Sequence, residues 1–236
     1  IVYFIVSKFY RMNVAGLENV PSLGGALLLG NHTSYLDWAI IQMACPRNIR
    51  FVMERSIYEK WYIKVILKAY KVIPVSKGGA RRSLLAIEEA LNDGSLVVIF
   101  PEGYISRNGQ MGSFHTGFEN VMKNCDVPII PFYLQGLWGS STSYASKQYK
   151  NASKINTRSV SVAFGAPLSP NSTAVDVKRK VFELSITSWR DFISSLGTLP
   201  QLWIRSAKKM ANELCVADST GVSLSYHQFM VGVLAT

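Results

Sequence analysis

Apolar residues in this chain follow two rhythms that alternate along it. Short apolar runs at residues 26–29, 96–100 and 127–134, and the run 49–53 interrupted by Arg50, have the length and composition of buried strands. Between them, apolar positions recur three and four residues apart, which predicts helices over 35–44, 83–92, 117–124 and 175–196. Pro46 stops the first of these helices and Gly94 the second. Residues 72–75 form a short strand containing Pro74, which has no N–H to offer a sheet neighbour and therefore belongs at an edge. Further strands are expected at 13–18, ending in a turn, and at 159–165, and residues 1–12 read as a helix close to a membrane. Residues 58–71 place Trp61, Tyr62, Ile66, Leu67 and Tyr70 on one side of a helix and Lys60, Lys64, Lys68 and Lys71 on the other. That lysine face suits solvent or an anionic membrane surface. Strands alternating with helices imply an α/β fold, a mostly parallel central sheet flanked by helices.

From about Leu199 the pattern changes. Residues 200–214 read as a helix, 215–226 as a hairpin turning at Ser219-Thr220-Gly221, and another helix begins near His227. The expected organisation is one domain over 1–198, then a linker and the start of something further over 199–236.

The junction after the first buried run carries the chemistry. Asn31-His32-Thr33-Ser34-Tyr35-Leu36-Asp37 follows the strand and opens a helix, with Ser34 and Asp37 spaced as a capping box. Positions five apart on a helix point roughly 140° away from each other, so His32 and Asp37 meet only if His32 lies off the helix on the loop. A carboxylate against one ring nitrogen fixes the imidazole tautomer and stabilises its protonated form, as a general base requires. A helix cap beside a satisfied loop histidine accounts for the same residues; the strand-to-helix position favours chemistry. Glu102, on a Gly103-containing turn after the run 96–100, reaches the same sheet edge if the two strands are neighbours. Lys77, Arg81, Arg82 and Arg107 fall on loops at that edge, and guanidinium forks suit phosphate oxygens. Taken singly, each is also an ordinary surface charge.

Composition narrows the partners. The chain has 236 residues, long enough for a substantial core, and Lys+Arg 25 against Asp+Glu 15 leaves it at +10. Such a surplus favours anionic lipid headgroups or an acidic carrier protein. Nucleic acid is disfavoured, because no recognition motif is present. Cys45, Cys125 and Cys215 are far apart with no C-x-x-C, which argues for reduced thiols and against a zinc site. The six apolar residues at the start are too few to span a bilayer, which needs about 20.

Residues 31–37 resemble the N-H-x-S-x-x-D block of the glycerophospholipid acyltransferase family, the lysophosphatidic acid acyltransferase-like enzymes. Phe100-Pro101-Glu102-Gly103 with Ser106 is similar to that family's F-P-E-G-T-R-S block, and Val127-Pro128-Ile129-Ile130-Pro131 to its V-P-I-[IV]-P block. Two departures stand out. Tyr104-Ile105 replaces Thr-Arg, and the segment 72–77 ends in Lys rather than Arg. With Ile105-Ser106-Arg107, the second block is closest in look to the acyltransferase half of a bacterial bifunctional 2-acylglycerophosphoethanolamine acyltransferase/acyl-ACP synthetase. Residues 215–226 resemble the opening of an adenylate-forming domain.

The resemblance implies a glycerol-3-phosphate acyltransferase-like fold and an acyltransferase with His32 and Asp37 as its catalytic pair. It also implies substrate contacts from Asn31, Ser34, Lys77, Arg81, Glu102, Gly103, Ser106 and Arg107. The reaction needs no metal or bound cofactor, since an acyl thioester on acyl carrier protein or CoA is the co-substrate. The acceptor is a lysophospholipid, lysophosphatidylethanolamine before 1-acylglycerol-3-phosphate, met peripherally at the cytoplasmic face of the inner membrane. A C-terminal acyl-ACP synthetase domain would follow in such a fusion. A thioester or lipid hydrolase and a non-catalytic lipid-surface module are the rival classes.

Overall fold

The computed structural model describes residues 8–59, 71–75, 80–147, 150, 158–195 and 198–235. They form two compact units, divided between Ser188 and Trp189.

The first unit is built on seven strands: β1 (Tyr10–Ala15), β2 (Ala26–Gly30), β3 (Ile49–Glu54), β4 (Ile73–Val75), β5 (Leu96–Ile99), β6 (Ile129–Gln135) and β7 (Arg158–Phe164). Their order across the sheet is β1-β7-β6-β2-β5-β3-β4. The five from β6 to β4 run parallel. β7 is antiparallel to β6 and parallel to β1, so the last two strands point the other way. This is the mostly parallel α/β sheet expected. β4, with Pro74, lies at the edge, where the missing N–H costs no sheet bond.

β2 explains its own unbroken apolar run. Ala26 and Leu28 point into a core beneath α1 (Asp37–Ala44), packed with Ile40, Ile41 and Ala44. Leu27 and Leu29 point to the opposite face, against α3 (Ala80–Asn92), α4 (Gly117–Met122) and α5 (Ala174–Ser195) through Leu91, Val121 and Val177. Helices on both faces leave no solvated side, so polar alternation is not needed.

The N-terminal helix expectation fails at its C-terminal end. Lys8 and Phe9 are helical, but Tyr10 to Met12 already belong to β1, while residues 1–7 lie outside the described set. Tyr10-Arg11-Met12-Asn13-Val14-Ala15 alternates between part-buried and exposed positions, the period of a strand packed on one face. From the predicted helix 58–71, residues 60–70 also lie outside the described set; α2 (Arg55–Tyr58) precedes them.

The second unit contains the last turns of α5, then α6 (Leu199–Lys209), the antiparallel hairpin of β8 (Leu214–Ala217) and β9 (Ser223–Ser225), and α7 (Tyr226–Leu234). Ser225 and Gln228 form a capping box for α7, and Trp203 meets Phe229 edge-on at 5.6 Å. The division between the units falls inside α5, between Ser188 and Trp189.

Candidate active site

β2 pairs with β5 over Ala26–Leu29 against Leu96–Ile99, so the loops leaving the two strands emerge side by side at one sheet edge. Gly30 closes β2. A Cβ there would fall 2.4 Å from both the Phe132 ring and its carbonyl oxygen, so only glycine lets β6 pack this close to the strand end. Asn31 follows, and its side chain completes the strand pairing: it donates to the Leu134 carbonyl at 2.9 Å and accepts from the Leu134 N–H at 2.7 Å.

His32 lies on the loop before α1, as the spacing demands. Its Nδ1 is 2.7 Å from Asp37 Oδ2. The same oxygen accepts the backbone N–H groups of Thr33 at 2.7 Å and Ser34 at 3.0 Å. Three donors thus converge on one oxygen of a fully buried carboxylate. Asp37 Oδ1 takes no hydrogen bond among the described residues. With Nδ1 engaged, Nε2 is the ring nitrogen on the far edge. The ring is one-fifth exposed and lies flat on Phe100, centroids 4.0 Å apart and planes 13° from parallel. Phe100 in turn meets Phe132 edge-on at 6.0 Å, which ties the imidazole platform to the core.

The helix begins at Asp37, not at Tyr35, and the expected capping box is replaced by a tighter arrangement. Asp37 reaches back to the loop N–H groups, while Ser34 Oγ accepts from Leu36 N–H and contacts the Thr142 hydroxyl at 2.8 Å. Ser34 is fully buried, so it braces the loop rather than facing a substrate.

The loop leaving β5 grips His32 from the other side. Glu102 is completely buried; its Oε1 accepts the His32 N–H at 2.9 Å and its Oε2 the Gly112 N–H at 2.7 Å. Ser106 N–H donates to the His32 carbonyl at 2.8 Å. Ser106 Oγ donates within its own loop, to the Gln110 carbonyl at 2.8 Å. Gly103 holds φ at +72, closing the turn in which its N–H reaches the Phe100 carbonyl. Burial pushes the Glu102 carboxyl above the ordinary glutamate value, against the opposing pull of the Gly112 and His32 N–H groups.

Of the expected substrate contacts, Asn31, Ser34, Glu102 and Ser106 are therefore turned inward, each buried and bonded to the chain itself. Arg107 is exposed, with its guanidinium 5.2 Å from the centroid of the Tyr144 ring. The Tyr144 hydroxyl meets that of Tyr35. Arg81 is exposed in the first turn of α3, and Lys77 lies outside the described residues. His115 is exposed, and its N–H bonds to the Pro101 carbonyl. Sequence reasoning missed the Phe100 platform, although that aromatic stands at the strand end, and missed Gly112, for which no local signal exists. Among the described residues no group of three His, Cys, Asp or Glu side chains is placed to hold a metal, and no helix is long and apolar enough to cross a membrane.

The Acyltransferase family matches residues 11–135, a span that contains both loops. The chloroplastic 1-acyl-sn-glycerol-3-phosphate acyltransferase LPAT1 of Arabidopsis thaliana is 30% identical over 135 residues, 56% of this chain and 38% of that protein. A protein of Mycoplasma pneumoniae, named a probable 1-acyl-sn-glycerol-3-phosphate acyltransferase, is 25% identical over 71% of this chain and 65% of its own length. The chain thus spans less than two thirds of either relative. The crystal structure of the 1-acyl-sn-glycerophosphate (LPA) acyltransferase PlsC from Thermotoga maritima superposes with a TM-score of 0.59 at 18% identity, over 80% of this chain and 74% of that one. It shares the fold.

Proposed function

Because the chain belongs to the Acyltransferase family, we propose that it moves an acyl group from a thioester to the free hydroxyl of a lysophospholipid. The observation that carries this reading is the 2.7 Å contact between His32 Nδ1 and the buried Asp37, which leaves Nε2 as the proton acceptor. The acceptor's O–H gives its proton to Nε2 as its oxygen attacks the thioester carbonyl carbon. Asp37 stabilises the imidazolium so formed. The C–S bond breaks, and the thiolate leaves with the proton that His32 returns. Proton transfer of this kind is worth roughly 10²–10⁴ in rate.

The acceptor we favour is 1-acyl-sn-glycerol-3-phosphate, the substrate in the names of the relatives from Arabidopsis thaliana and Mycoplasma pneumoniae. It takes precedence over the lysophosphatidylethanolamine suggested by the bifunctional enzyme. Its phosphomonoester calls for a cation near the site. Arg107 supplies one from the loop that also holds His32, whereas Ile105, where the family has arginine, is buried and apolar. The donor is an acyl thioester of carrier protein or CoA, and either suits a chain of net charge +10. Because the acceptor carries an acyl chain, the protein works at a membrane surface, on the cytoplasmic face.

The test is to incubate the protein with acyl-CoA or acyl-ACP and each lysophospholipid in turn, then identify products by mass spectrometry. Phosphatidic acid from 1-acyl-sn-glycerol-3-phosphate is the expected product. Free fatty acid formed at the same rate with or without acceptor would identify a hydrolase instead.

A further inference from the structure

The structure assigns Glu102 to holding the main chain of His32 in place, as a positioning residue, and not to contacting substrate. This rests on the acyl-transfer reading only for its kinetic consequence. Every atom of the Glu102 side chain is shielded, since the residue is fully buried. Both carboxylate oxygens already face backbone N–H groups, at 2.9 Å from His32 and 2.7 Å from Gly112. With the residue at zero exposure, a substrate phosphate or hydroxyl has no open path to either oxygen.

The arrangement is a clip with two jaws. Glu102 takes the N–H of His32, and the N–H of Ser106 takes the His32 carbonyl at 2.8 Å, so both polar groups of that residue's main chain are held by one loop. The loop is itself braced. Ser106 Oγ bonds to Gln110, the His115 N–H to Pro101, and the Gly103 N–H to Phe100. Gly112 has no side chain because the Tyr104 hydroxyl and Glu102 Oε2 stand 2.4 and 3.0 Å from where its Cβ would be. Asp37 fixes the ring through Nδ1, and Phe100 supports its face. Without the clip the ring would keep its partner while the loop beneath it drifted, and a base misplaced by an ångström loses much of its effect.

A carboxylate is the group the geometry needs. Two N–H donors converge from separate loops, and only an ionised side chain offers an acceptor to each. Glutamine keeps one carbonyl oxygen and turns an NH₂ toward the other donor, so one buried N–H loses its acceptor.

Two measurements test the assignment. In Glu102→Gln the expected result is a fall in kcat of about ten- to a hundredfold, with KM for the acceptor unchanged within about twofold. A KM raised more than tenfold with kcat preserved would overturn it, because that is the signature of a lost substrate contact; so would unchanged kinetics. The second measurement needs neither a variant nor activity, and so stands if the variant does not fold or the acyl-transfer reading fails. In ¹H–¹⁵N spectra of the wild-type chain, the amides of His32 and Gly112 should follow one common acid titration. If the two amides fail to titrate together, the clip does not exist in solution.

Discussion

Two fully buried carboxylates flank His32, and they do opposite things. Asp37 gathers three donors on a single oxygen and acts on the imidazole ring. Glu102 spreads its two oxygens over two loops and acts on the main chain. Asp37 lies five residues from His32 in sequence, so its contact is local and built by one loop turning into one helix. Glu102 lies seventy residues away, and its contact exists only because β2 and β5 are sheet neighbours. The same chemical group, at the same burial, serves chemistry in one case and geometry in the other. What separates them is whether a titratable ring or a peptide N–H stands opposite.

Asp37→Asn breaks the ring side of this comparison most sharply. The asparagine oxygen still accepts from the loop, but the charge that stabilises the imidazolium is gone and an NH₂ group occupies the buried Oδ1 position. The expected outcome in steady-state assays is a loss of about 10²-fold in kcat, with the secondary structure retained by circular dichroism. Retention of near-wild-type kcat would mean that Asp37 only braces the loop. Next in size is Arg107→Ala, which should raise KM for 1-acyl-sn-glycerol-3-phosphate by about tenfold while leaving kcat in place, as expected for one charge-assisted contact of ~1.4 kcal/mol. Equal loss with a neutral monoacylglycerol acceptor would remove Arg107 from phosphate recognition.

Phe100→Leu keeps the bulk beneath the imidazole but removes the stacked face. A stack of this kind is worth ~0.5–1.5 kcal/mol, so kcat should fall between about twofold and tenfold. The smallest effect concerns Glu102 and pH. Its folded-state pKa lies above the ordinary 4.5, so folding takes up a proton between that value and the raised one. Ionised Glu102 holds both N–H groups, but the hydration it loses on burial outweighs what they return, so its net contribution to stability is greatest at low pH and declines as pH rises through the window. Urea midpoints measured across that range should show the wild type losing ground to Glu102→Gln as pH increases; an advantage growing with pH would reverse the sign.

The same contrast explains how much was legible in the sequence. Buried runs such as Leu27-Leu28-Leu29 disclosed strands covered on both sides, and Pro74 disclosed an edge, because burial and a missing N–H leave local marks. The spacing from His32 to Asp37 disclosed a loop contact for the same reason. Tyr10 escaped because an apolar N-terminal run hid the alternation of β1, whose partner β7 lies far along the chain. A polar residue in a motif looks the same whether it points out or in, so Asn31, Ser34, Glu102 and Ser106 resemble substrate contacts in the sequence and are buried in the fold. Asn31 turns to Leu134, and Ser34 to Thr142, by contacts more than a hundred residues apart in the chain. Only the fold distinguishes such residues from ligands.

The central claim is that Nε2 of His32, with its ring held by Asp37 and its backbone by Glu102, accepts the proton of the attacking hydroxyl. The most direct measurement is single-turnover acyl transfer from a thioester to 1-acyl-sn-glycerol-3-phosphate by His32→Ala beside the wild type. The account predicts that the variant remains folded, still binds acceptor, and transfers acyl groups about 10²–10⁴ times more slowly. Transfer at a rate near that of the wild type would contradict it.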